Sequence, residues 1–168
     1  MTMKLLDPPD AWGYTIFCDD IRVEIGNKLT YVGTYSGQLL IHGSFPSTIP
    51  KLCLGIVYYQ RLSKGVLPVR INVFMPNDPD EKPSFQAEMP PEAAQHAVED
   101  AQELASREGP QAAAFVTAYM QVAFTPATIT QPGLVRVRAI RGDELIRLGT
   151  LDVRPAADVA SPPIGPLP

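Results

Sequence analysis

Apolar and polar residues alternate along much of the chain with a period of two, the spacing that turns one face of a strand to a core and the other to water. Ile21, Val23 and Ile25 alternate with Asp20, Arg22 and Glu24, a half-buried strand pattern. Just before it, YTIFC at 14–18 reads as a short strand whose apolar set Tyr14, Ile16 and Cys18 falls on even numbers. The parity changes near Asp19-Asp20, and a bulge or sharp corner there lets both sets face one core. A turn signal, Gly26-Asn27-Lys28, precedes LTYVGTY. A three-residue loop pairs Ile25 with Leu29 and Val23 with Tyr31, apolar against apolar; a two-residue loop sets Ile25 against Lys28. The pattern therefore predicts that Ile21, Val23, Ile25, Leu29 and Tyr31 share a buried face.

Further strands are predicted at QLLIHG, LCLGIVYYQ, VRINVF and FVTAYMQVAF, and in a C-terminal hairpin, VRVRAI and ELIRLGTLDV around Gly142-Asp143. FPSTIP, PNDPDEKP and PATITQPG read as loops or corners. One stretch breaks the pattern. Pro90-Pro91 opens it and Gly109-Pro110 closes it, the punctuation of a helix over about 90–108. Its stripe of Ala94, Ala97, Val98, Ala101, Leu104 and Ala105 is thin, so the helix is expected on the surface. Residues 155–168 hold five prolines and little periodicity, an extended tail. Short strands with turns every eight to twelve residues, and one helix between them, predict a mainly β domain: an antiparallel sandwich or barrel over 1–154, with a helical insertion and a tail.

Composition changes this picture little. The 168 residues are 45% apolar, and 18 prolines exclude long uninterrupted helices. The net charge of −4 arises in 88–108, where six acids stand against Arg107 alone. No global basic field argues for sequence-blind nucleic-acid binding. The N-terminus lacks the apolar stretch of a secretory leader, and no window approaches a membrane span. A cytoplasmic setting is expected, with Cys18 and Cys53 buried, reduced and unpaired.

Candidate chemistry is sparse. Asp20, Arg22 and Glu24 share a strand face beside Asp19, so Asp19, Asp20 and Glu24 are the candidate carboxylates for a cation, against an ordinary charge ladder. Asn77, Asp78, Asp80 and Glu81 resemble a calcium loop but lack its glycine and distal glutamate. Arg136 and Arg138 share one face of the last hairpin, with Arg141, Arg147 and Arg154 nearby: an anion or nucleic-acid patch, a solvated face, or one docked on the acidic helix. Tyr31, Tyr35, Tyr58, Tyr59 and Trp12 are candidates for a contact patch or for core filling. No nucleophile elbow, zinc spacing or phosphate-binding glycine loop is present. No catalytic residue and no cofactor is expected.

CDDIRVE at 18–24, Lys28, VGTY at 32–35, FP and PKL within 45–52, and PG, GDEL and the final Leu and Val within 132–153 together resemble a family of small bacterial and phage proteins of unknown function. The resemblance covers most of the chain outside the tail. It implies a β-sandwich like immunoglobulin or C2 domains, and no particular activity. The expected function is a non-enzymatic binding or assembly module acting through protein contacts, cytoplasmic or virion-associated. Self-assembly would place Ile164 or Leu167 of the tail in an apolar groove of another chain. The alternatives are a metal-dependent binder or enzyme centred on Asp19, Asp20 and Glu24, and a nucleic-acid binder using the C-terminal arginines.

Overall fold

The computed structural model describes residues 9–62, 66–108 and 115–156. The tail, with Ile164 and Leu167, lies outside them, as does the Gly109-Pro110 helix end.

The strands are β1 Ala11–Glu24, β2 Lys28–Thr34, β3 Gln38–Ile41, β4 Ser47–Ile49, β5 Leu52–Arg61, β6 Val69–Phe74, β7 Phe85–Glu88, β8 Phe115–Phe124, β9 Ala127–Ile129, β10 Gly133–Arg141 and β11 Glu144–Pro155. The helix α1, Pro91–Glu108, lies between β7 and β8. The chain is mainly β. A four-stranded sheet runs in the order β2-β1-β5-β8 and a five-stranded sheet in the order β3-β11-β10-β6-β7. Both contribute to one core. Phe17, Leu54 and Ile56 from the first sheet meet Val73, Val135, Val137 and Leu151 from the second.

Local patterning explains most of this. In β10, Val135, Val137 and Ala139 are buried while Arg136, Arg138 and Ile140 between them are less so, the alternation of a sheet with one wet face. In β5 every residue from Leu52 to Tyr58 is buried, which is why the run shows no alternation. Three findings correct the sequence expectations. The pairing is not wholly antiparallel, since β3 lies parallel to β11. Two segments read as loops pair with each other, β4 with β9, as a small third sheet. Third, 14–18 and 20–25 are not separate strands: β1 is one strand, and its core-side residue is Phe17, not the set Tyr14, Ile16 and Cys18.

The helix forms where its punctuation places it, with proline in the first turn. It lies on β8, where Ala101 and Val116 form a small apolar cluster with Leu62, Val66, Ala97 and Val98 packed around it. The thin alanine stripe suffices for that contact and little more.

Candidate contact surface

Leu54, Ile56 and Tyr58 point into the core, so Gly55, Val57 and Tyr59 turn to the outer face of the four-stranded sheet. The ladder sets Trp12 opposite Tyr59 and Tyr14 opposite Val57, and Val57 is opposite Tyr119 on β8. Opposed residues share a face, so the outer face carries a band of aromatic rings. Trp12 stacks on Tyr59 with ring centroids 4.2 Å apart. Tyr31 of β2 lies over Gly55, where an added Cβ would come 2.5 Å from its ring, and its hydroxyl is 3.1 Å from that of Tyr119. Burial first, and then the Tyr31 hydroxyl, pushes the Tyr119 phenol far above its ordinary range. These rings cover the outer face of β5, yet Trp12, Tyr14 and Tyr119 stay 37%, 43% and 40% exposed.

Tyr31 is on the outer face, whereas Tyr35, of the same parity, packs against the core. The change of face falls at Gly33, whose φ of 64° is available to glycine at little cost. Opposite it, Asp19 accepts a hydrogen bond from the Tyr35 hydroxyl.

The N-terminal hairpin departs from expectation. Val23 and Ile25 are 66% and 98% exposed, so no buried face is shared by Ile21, Val23, Ile25, Leu29 and Tyr31. The ladder between β1 and β5 ends at the Cys18–Cys53 rung; beyond it β1 pairs only with β2. Residues 21–24 and 28–31 thus form a two-stranded arm. The loop does have three residues, but they are Ile25, Gly26 and Asn27, with Glu24 opposite Lys28, Val23 opposite Leu29 and Ile21 opposite Tyr31. Apolar still meets apolar, two positions out of the expected register, and Ile25 is left at the tip.

The acidic cluster is dispersed among partners. Asp20 binds Lys51 at 2.5 Å and Arg22 at 3.3 Å. These bonds, Lys51 foremost, hold the Asp20 carboxyl below the usual carboxylate range, and Asp20 in turn pushes the Lys51 ammonium up. Asp19 faces Tyr35, and Glu24 is on the exposed arm. Among the described residues no three His, Cys, Asp or Glu side chains gather as metal ligands. Asp19, Tyr35, Gln38, Leu40, Ile49 and Lys51 instead line an open groove of about 670 Å³ walled by β3 and the end of β4. Tyr35 and Lys51 belong to the groove, and the sequence offered no spacing that joins them to Asp19.

The arginines are committed elsewhere than expected. Arg136 and Arg138 stack over Phe74 at 4.8 and 5.1 Å and bind Asp80 at 2.7 and 3.0 Å. Arg136 also donates to the Asp78 carbonyl. Their partner is the 77–81 loop, not α1. The same loop uses its Asp78 carboxylate to accept from Met75 N, Ser84 N and Ser84 Oγ. Arg141 is buried, bonded to Glu144 through Nε at 2.8 Å. Arg154 binds Asp152. Both cysteines are free and buried, and His96 sits beside Glu99 on the helix.

A feature the sequence did not signal is an apolar cavity of about 240 Å³ beneath α1, walled by Ile56, Tyr58, Val69, Ile71, Met89 and Met120. The Tyr58 hydroxyl is buried with no hydrogen-bond partner among the described residues, and desolvation pushes it up to about 12. Among the described residues no helix is long and apolar enough to cross a membrane. No protein-family model matches the chain, and no curated protein is significantly similar to it in sequence.

Proposed function

We propose that this protein is a non-catalytic binding or assembly module that works through protein contacts made by the outer face of the four-stranded sheet and its projecting hairpin. In this reading the molecule is a single sandwich domain of the immunoglobulin or C2 kind, with α1 as an accessory and with phage or bacterial relatives, as the resemblance implies; it works in the cytoplasm or on a virion. The observation that carries the reading is the aromatic band, with Trp12, Tyr14 and Tyr119 each more than a third exposed on one face. Tyrosine and tryptophan supply large contact area at low entropic cost and dominate the cores of protein interfaces. The Ile25 tip adds an apolar projection just past the far end of β1.

Self-association is the first partner to test. Sedimentation of the wild-type chain across the micromolar to millimolar range is expected to show a concentration-dependent oligomer. Tyr14→Ser with Tyr119→Ser, and separately Ile25→Lys, are expected to return it to a monomer with the melting temperature nearly unchanged. A wild-type chain that stays monomeric throughout removes self-assembly. Variants that lose the melt show that the aromatics only hold the sheet together.

A further inference from the structure

Cys18 and Cys53 are direct cross-strand partners in the antiparallel ladder of β1 and β5. Directly opposed residues point to the same face, with Cα atoms roughly 4.5 to 5.5 Å apart. A disulfide spans Cα separations of about 4.4 to 6.8 Å. The native backbone therefore already meets the main distance requirement, whichever type of rung this is. Both thiols are free and buried, and the Cys18 thiol donates to the Asp20 carbonyl at 3.3 Å.

We propose that Cys18 and Cys53 are a disulfide-forming modification site, closed by a low-molecular-weight disulfide such as oxidised glutathione and opened by reduced thiols. Cys53, which has Lys51 beside it, opens the exchange. Its sulfur attacks one glutathione sulfur, a mixed disulfide forms, and one glutathione thiolate leaves. The Cys18 sulfur then attacks the Cys53 sulfur and expels the second glutathione. The protein gives up two electrons and two protons, and one glutathione disulfide becomes two glutathione thiols.

Place gives the bond its consequence. This rung is the last one joining β1 to β5 before β1 leaves the sheet as the arm. A bond here fixes the root of the arm, next to the Asp20–Lys51 ion pair. Burial, with Cys53 next in effect, pushes the Cys18 thiol up to about 11, so the folded, reduced protein exchanges slowly.

The test is to refold the full chain in an oxidising glutathione buffer, where burial does not limit access, and in parallel to incubate the folded protein. Peptide mapping is expected to find a Cys18–Cys53 cross-linked peptide in the refolded sample. Denatured-state titration should find no free thiol there, against two in the reduced protein. The folded sample should reach the same state more slowly. The oxidised protein should melt several degrees higher, because the bond restricts the unfolded chain. Cys18→Ser should give only the glutathione adduct at Cys53. Mixed adducts without the cross-linked peptide in the refolded wild type, or a cross-linked protein that melts lower than the reduced one, overturns the proposal.

Discussion

Single residues decide where faces change. Gly33 holds φ at 64°, and a Cβ there would strike the Asp19 carboxylate. Gly33→Ala is expected to cost about 1–3 kcal/mol, read as a lower denaturant midpoint. An unchanged midpoint would mean that Asp19 and the strand relax freely around it. Asp20 gives a pH signature. Lys51 and then Arg22 lower its folded-state value, so its contribution is present above the unfolded value and lost as pH falls through the folded one. The melting temperature of the wild type should fall below about pH 4, more steeply than that of Asp20→Asn. Salt should shrink the difference, since the pair is partly open to solvent. Identical profiles for the two proteins would show that Lys51 gains nothing from Asp20.

At the scale of elements, the sequence was legible where burial on one face is regular. VRVRAI, the hairpin at Gly142-Asp143 and the proline-capped helix were all readable because each carries its own period or punctuation. The β4–β9 pair was not, because three-residue strands hold too few positions to show a period. The hairpin arm misled for a different reason. Alternation predicts burial only if a second layer lies beneath, and nothing in 21–25 tells where the neighbouring strand stops. The acidic cluster was visible as a cluster, but its partners Tyr35 and Lys51 lie 16 and 31 residues from Asp19 and Asp20 respectively. The helix contributes a small apolar contact through Ala101 to Val116. Replacing 91–108 by a short linker is expected to keep a cooperative melt while costing about 1–3 kcal/mol. Loss of cooperativity would make α1 part of the core rather than a cover over β8 and the cavity.

For the whole molecule, charge is arranged so that basic side chains meet acids close by. Asp80 binds both Arg136 and Arg138, and Asp152 binds Arg154. The wild-type chain is expected to leave heparin at low salt, and Asp80→Asn to leave it at distinctly higher salt, because two guanidinium groups lose their carboxylate. Strong, salt-sensitive retention of the wild type would restore the nucleic-acid reading.

The parallel rung between β3 and β11 governs how the chain can be made. Gln38–Ile41 are synthesised early, yet their strand partner is Asp152–Pro155, more than a hundred residues later. Among the described residues β3 has no other strand beside it. Contacts so distant along the chain are slow to form and expose unpaired edges while they are awaited. On the ribosome, Leu39 and Ile41 stay without their sheet partner until β11 emerges. A nascent chain stalled before residue 144 is therefore a candidate client for chaperones, and the emergence of β11 is the step that shuts the five-stranded layer.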